Sequence, residues 1–214
     1  MESPDLAHMR SEYARTGLDE ASAGDDPLAL FTRWLDEALV AQLHEPNAMA
    51  LATATSDGRP SVRIVLLKGL DEAGLTFFTN FDSRKGVELA ANPRAAAVLL
   101  WHPLQRQVRI EGPVAVLDDA DSDAYFASRP RGSQIGAVAS PQSRAISGRE
   151  VLEERVTEVA QFFDGIAVER PPTWGGYRIG IESIEFWQGR EDRLHDRLRF
   201  VRRGDAWTRE RLAP

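Results

Sequence analysis

Hydrophobic positions change period along this chain, from helical spacing near the N-terminus to short apolar and alternating runs beyond it. Residues 1–25 are polar and acidic, with Gly17 and Gly24, and predict a partly flexible arm ahead of a single domain over 26–214. Leu28, Phe31, Trp34, Leu35 and Ala38 then recur at helical spacing behind a capping Asp26 and a first-turn Pro27, and Pro46 stops the run. From Ala48 the texture is that of strands. MALATAT, the turn Asp57-Gly58 and SVRIVLLKGL predict a hairpin, and a second turn at 71–74 leads into LTFFTN. A short helix is expected from about Ser83 to Ala91, closed by Asn92-Pro93, followed by strands in AAAVLLW and QVRIEGPVAVL. Asp118, Asp119 and Asp121 announce a helix ended by Pro130, and Ser147-Gly148-Arg149-Glu150 reads as a capping box opening another to about Phe163. After Pro171-Pro172 come YRIGIESIEFWQG, RLRFVRR and AWTRERL, the last two joined at Gly204-Asp205.

Six to eight short, mostly antiparallel strands with helices between them make the fold class mainly β with peripheral helices, a barrel or a sandwich. No G-x-G-x-x-G or Walker loop is present, so Rossmann and P-loop folds lose their main support. Cysteine is absent, which excludes disulfides, thiolate metal sites and a cysteine nucleophile, and no zinc or paired-histidine spacing appears. With no apolar run of membrane-spanning length and no export signal, the expectation is a cytoplasmic protein with no membrane partner.

A formal net charge of −7 argues against nucleic acid as a partner. The charge is uneven: residues 61–110 hold 7 basic and 4 acidic side chains, and 170–214 hold 10 and 7. Locally basic segments in an acidic chain suit small anionic ligands. Of the 26 basic residues only Lys68 and Lys85 are lysines, which hints at a need for compact point charges there.

Three constellations stand out. In the first, Arg63 and Lys68 stand five apart on one apolar strand, which places them on opposite faces unless a bulge intervenes, while Thr79-Asn80 and Ser83-Arg84-Lys85 add hydroxyls, helix-start N–H groups and cations. That set suits a phosphate dianion, although Ser83-Arg84-Lys85 alone also fits a solvated turn. In the second, Tyr125, Arg129 and Ser133 could hold a second phosphate, or Tyr125 could be core and the arginines a complement to the helix dipole. Gln142-Ser143 are further neutral donors. In the third, alternation puts Arg193, His195 and Arg197 on one face of an extended segment beside Phe186 and Trp187, with a salt-bridged surface ribbon as the alternative. His195 is the best proton-handling candidate. Without a cysteine, metal motif or triad, such a site points to an organic cofactor.

At R-I-V-L-L-K, T-N-x-x-S-R-K, R-Q-V, Y-F-x-S-R-P-R-x-S-Q-I-G and above all I-E-F-W-Q-G-R-E-D-R-L-H-D-R, the chain resembles pyridoxamine 5'-phosphate oxidases, from about Met9 to Pro214. The resemblance implies an FMN-binding split β-barrel of Greek-key-like antiparallel strands, and a homodimer with its sites at the interface. The implied reaction is oxidation of pyridoxamine or pyridoxine 5'-phosphate to pyridoxal 5'-phosphate, with oxygen as acceptor giving hydrogen peroxide, plus ammonia from the amine. Carried over by position, the FMN contacts are Arg63, Ile64, Val65, Leu66, Leu67, Lys68, Phe78, Thr79, Arg84, Lys85, Gln107, Gln142, Ser143, Trp187 and Arg197. Lys68, Tyr125, Arg129 and Ser133 are implied to hold the substrate phosphate. Arg193 and His195 are implied to lie over the pyridine ring as the catalytic pair, and Arg10 and Tyr13 to close the site. Phe78 departs from the family, which often has tyrosine there. No metal is implied.

Overall fold

The structure is a computed structural model that describes residues 17–214. In chain order the elements are α1 (Glu20–Ala23), α2 (Pro27–Val40), β1 (Ala48–Ala54), β2 (Pro60–Leu66), β3 (Gly69–Asp71), β4 (Gly74–Asn80), α3 (Arg84–Ala91), β5 (Arg94–Trp101) and β6 (Arg106–Val116). There follow α4 (Asp119–Ser128), α5 (Arg131–Ala139), α6 (Arg149–Phe162), β7 (Trp174–Ile179), β8 (Ser183–Gln188), β9 (Asp196–Arg203) and β10 (Ala206–Arg211). Antiparallel strands with interspersed helices are what the hydrophobic pattern predicts. No helix among the described residues is long and apolar enough to cross a membrane.

The expected caps largely form. The Asp26 carboxylate accepts from the backbone N–H groups of Leu28 and Ala29 at 2.8 and 3.2 Å, and Asp118 accepts from Asp121 N–H at 2.8 Å. The capping box ahead of α6 does not form. Gly148, not Ser147, is the N-cap, and no side chain caps that end. Starting one residue later puts Val151 rather than Glu150 at the third helical position, so the reciprocal bond is out of register. Helix α5 is also absent from the sequence reading, because Gly132 and Gly136 mask its period and Pro130 supplies no side-chain cap.

The described residues fall into two compact units. One comprises the described part of Met1–Pro46 with Val98–Ile110 and Ser183–Pro214. In it β10, β9 and β8 pair in antiparallel order, with Ile184 opposite Phe200 and Trp187 opposite Arg197. The apolar face of α2 seals this sheet: Trp34 meets Phe186 edge-on at 5.3 Å, Phe31 lies 6.2 Å from Trp101, and Phe186 meets Phe200 at 5.9 Å. The Trp101 indole N–H, buried with its ring, donates to Pro46 O at 2.8 Å.

The other unit comprises Asn47–Ala97 and Glu111–Glu182. Here β1 and β2 form the expected hairpin, with Ala48 opposite Leu66 and Ala54 opposite Pro60. Strand β4 lies between β3 and β7, and the end of β6 pairs with β7 from Val114 to Val116. Strand β2 has β1 as its sole strand partner among the described residues, leaving one backbone edge open. Helix α3 starts hard against the preceding loop. A Cβ on Gly86 would sit 2.1 Å from Phe81 O, so only glycine lets Lys85 enter at this depth. Phe126, Ile135, Phe163, Val168 and Trp174 form a satellite core under α4, α5 and α6.

Candidate active site

In the second unit, a cavity of about 290 Å³ opens beside the free edge of β2 and is lined by Ile64, Val65 and Leu66 together with Lys68, Phe78, Thr79, Lys85, Tyr125, Arg129, Gln142 and Trp174. Its cations differ in how they are satisfied. Lys85 stands in the first turn of α3, which Ser83 caps, and only 8% of it is exposed. Its ammonium donates to Thr79 Oγ1 at 3.0 Å, Gln142 Oε1 at 3.1 Å and Ser83 Oγ at 3.3 Å, all neutral oxygens. Burial, with a smaller push from Arg63, lowers its pKa to about 8.

Arg63 and Arg84 instead meet a carboxylate. Glu88, buried on α3, accepts from Arg84 Nε at 2.9 Å and Arg63 Nη2 at 3.3 Å, and from the Thr53 and Ser61 hydroxyls. Arg63 Nη1 also donates to Leu51 O at 3.0 Å and Thr53 Oγ1 at 2.6 Å. Burial alone would raise the Glu88 pKa, but the hydrogen bonds from Ser61, Thr53 and Arg84 outweigh it and hold it at about 2.

The far wall of the cavity is aromatic. Phe78 stacks on Tyr125 with ring centroids 3.9 Å apart and on Trp174 at 5.5 Å, and Tyr125 lies within 7° of parallel to Trp174. The Arg129 guanidinium sits 4.7 Å over the Trp174 ring, while its Nη1 is buried with no hydrogen-bond partner. Desolvation lowers the Arg129 pKa, partly offset by Tyr125. Lys68 Nζ is 6.0 Å from the Tyr125 ring. Among the described residues neither Lys68 nor Arg129 pairs with a carboxylate. A second cavity of about 320 Å³ shares Arg129, Gln142 and Trp174 and adds Asn80 and Ser133.

One sequence expectation needs correcting in this unit. Arg63 and Lys68 do not project from opposite faces of one strand, because β2 ends at Leu66 and Lys68 lies in the link to β3, its N–H donating to Thr76 O at 2.8 Å. Ser143 takes a left-handed φ of 68° and lines a recess together with Arg84, another of the expected FMN contacts. Leu67 is buried, its N–H donating to Asn47 O at 2.8 Å. Sequence reading missed Glu88 and Trp174. The spacing of Glu88 four residues after Arg84 was the available signal for the first, whereas nothing local marks the second.

Gln107, Trp187, Arg193, His195 and Arg197 belong to the first unit. The expected cationic ladder is not there: β9 begins only at Asp196, and Arg193 sits in a turn. Asp192 and Arg193 both adopt left-handed conformations, φ 52° and 62°, which break the alternation that an extended segment requires. His195 Nδ1 accepts the Arg190 backbone N–H at 3.1 Å, and its ring lies 4.5 Å from that of Trp187. The neutral imidazole therefore carries its proton at Nε2. Burial, and secondarily Arg193, lowers the His195 pKa. Arg197 donates to buried Glu185 at 2.7 Å and to Ala213 O at 2.8 Å, and the Glu185 bond raises its pKa. Arg10 and Tyr13 lie outside the described residues.

The chain matches known proteins over most of its length. The family described as pyridoxamine 5'-phosphate oxidase matches residues 35–163, and that described as the pyridoxine 5'-phosphate oxidase C-terminal dimerisation region matches 174–214. A protein of Rubrobacter xylanophilus named pyridoxine/pyridoxamine 5'-phosphate oxidase is 58% identical over 210 residues, 98% of this chain and 97% of its own. A Synechocystis protein of the same name is 51% identical over the full length of both chains. Among solved structures, PhzG from Burkholderia lata in complex with tetrahydrophenazine-1-carboxylic acid superposes with a TM-score of 0.85 at 38% identity, covering 91% of this chain and 95% of that one. A pyridoxamine 5'-phosphate oxidase-related, FMN binding protein from Nostoc punctiforme gives a TM-score of 0.67 over 86% of this chain and 97% of that one. At 18% identity it shares the fold alone.

Proposed function

The chain belongs to the pyridoxamine 5'-phosphate oxidase family, and we propose that it is an FMN-dependent oxidase converting pyridoxamine and pyridoxine 5'-phosphates to pyridoxal 5'-phosphate, with oxygen as the final acceptor. The observation that carries this reading is a single cavity lined by Lys68, Lys85 and Arg129, cations that no carboxylate neutralises among the described residues. Each phosphoester brings roughly −1.5 to −2 charge at neutral pH, so two such ligands match the cations that the protein leaves uncompensated.

The residues present fit FMN. Lys85, pinned by three neutral oxygens, is set for the phosphate, and Arg63 and Arg84 stand beside it on Glu88. The open edge of β2 at Ile64 to Leu66 offers backbone donors and acceptors to a planar heterocycle. Phe78 lines this cavity with its ring already stacked, so its lack of a hydroxyl leaves shape and backbone contacts intact. When bound, FMN supplies the two-electron acceptor that the protein's own side chains lack.

The protein's part is orientation. In this reading Arg129, which lines both cavities, holds the substrate phosphate together with Lys68, Tyr125 and Ser133. Arg193 and His195 of the C-terminal region act on the substrate ring. His195 does so as a neutral Nε2–H donor, because Nδ1 is already occupied. The active form is a homodimer with its sites at the interface, consistent with the dimerisation region matched over 174–214. The setting is cytoplasmic. Most of the rate enhancement comes from holding the two rings in reacting register.

Anaerobic mixing of FMN-loaded protein with pyridoxamine 5'-phosphate tests this. The flavin absorption band is expected to bleach, and pyridoxal 5'-phosphate to accumulate once oxygen is admitted. A band that stays unbleached would reject the oxidase reading.

A further inference from the structure

We infer that Arg170 is a positioning residue for the substrate-phosphate cradle, fastening the helix that carries Tyr125 and Arg129 to the strand that carries Trp174. The inference rests on the reading above that Tyr125, Arg129 and Ser133 hold that phosphate. The Arg170 side chain is only 10% exposed and uses all three arms of its fork. Nε donates to Asp123 at 2.5 Å, Nη2 to Asp119 at 2.6 Å and Nη1 to Trp174 O at 2.7 Å. Asp119 and Asp123 are four residues apart on α4, so one guanidinium neutralises two carboxylates that would otherwise repel on the same helix face.

Two residues beyond Asp123 comes Tyr125, and Arg129 is the C-cap of the same helix. Trp174, whose carbonyl takes the third arm, opens β7. Its ring lies 6.2 Å from Tyr125 and 4.7 Å beneath the Arg129 guanidinium. Arg170 thus fixes both sides of the triangle formed by Tyr125, Trp174 and Arg129. A second tie, Gly176 N–H to Ser122 Oγ at 3.1 Å, holds α4 to β7 but does not reach the Trp174 carbonyl. Arg129 depends on this fastening because its buried Nη1 has no hydrogen bond to fix its aim. Three acceptors in three directions suit a planar fork and not a single ammonium, so lysine is a partial substitute.

The test is steady-state kinetics of FMN-loaded wild type, Arg170→Ala, Arg170→Lys and Arg129→Ala with pyridoxamine 5'-phosphate, together with binding of pyridoxal 5'-phosphate and of pyridoxal. Arg129→Ala is expected to raise KM roughly tenfold or more, since it removes a charge-assisted contact. Arg170→Ala should raise KM about three- to tenfold with kcat within about twofold, the signature of lost ground-state binding. Its preference for the phosphorylated over the unphosphorylated ligand should fall in parallel, FMN affinity should hold, and Arg170→Lys should lie between. A lower unfolding temperature with unchanged KM and unchanged phosphate preference would make Arg170 merely structural and overturn the inference. If Arg129→Ala also left KM unchanged, the phosphate reading itself would fail, and the inference with it. Should Arg170→Ala not fold, Asp123→Ala, whose side chain is 62% exposed, is expected to give the same KM shift at smaller size.

Discussion

Two groups of cations in the same unit are held in opposite ways. Arg63 and Arg84 converge on the buried carboxylate of Glu88, so their charge is balanced inside the protein. Lys85 and Arg129 are desolvated without such a balance, one against hydroxyl and amide oxygens, the other against an indole ring. Burying a cation with only neutral partners costs free energy that folding alone does not recover. That the protein tolerates this twice around one cavity supports the proposal that those charges receive an anion, whereas the charge of the glutamate-bound arginines is already balanced by Glu88.

The sharpest way to break this contrast is to remove the internal anion. Glu88→Ala strands Arg63 and two hydroxyls, and urea unfolding is expected to show a loss of about 3–5 kcal/mol. A loss under about 1 kcal/mol would mean that Arg63 and Arg84 do not depend on Glu88. Next in size, Arg193→Leu should cut kcat/KM roughly 100-fold through misplaced substrate while flavin stays bound. Unchanged turnover would remove Arg193 from the mechanism. Arg84→Ala should weaken FMN binding by less than about tenfold, because its side chain is 63% exposed and water screens its charge. An effect larger than that of Lys85→Ala would invert the ranking of the two groups.

The smallest effect is in acid. The Glu88 pKa is about 2 in the folded protein against an ordinary 4.5, so its contribution is complete above about pH 4.5 and is lost as the pH falls toward 2. The stability difference between wild type and Glu88→Gln should therefore shrink across that window. A difference that stayed constant would show that the carboxylate is not held ionised by its partners.

Local chemistry wrote much of the fold into the sequence. The Asp57-Gly58 turn, the Asp26 and Asp118 caps and the stops at Asn92-Pro93 and Pro130 lie where strands and helices begin and end, whereas α2 already ends at Val40, ahead of the expected stop at Pro46. What failed depended on offsets of a single residue, on glycine, or on left-handed backbone at non-glycine positions, as at Asp192 and Arg193. The Ser147 box slipped by one position, and YRIGIESIEFWQG is two strands, β7 and β8, broken at Gly180. The unusual choice of lysine at 68 and 85 did point to the cavity. The partners that give each cation its meaning were not readable, because they are distant in sequence: Glu88 lies 25 residues from Arg63, and Gln142 lies 57 from Lys85. Only packing brings them together.

The most direct measurement compares the affinity of the apoprotein for FMN and for riboflavin, in wild type and in Lys85→Ala. If the cavity cations are reserved for phosphoesters, wild type should prefer FMN strongly, and Lys85→Ala should lose about tenfold or more of that preference while keeping its riboflavin affinity. Equal binding of FMN and riboflavin by the wild-type protein would contradict the account.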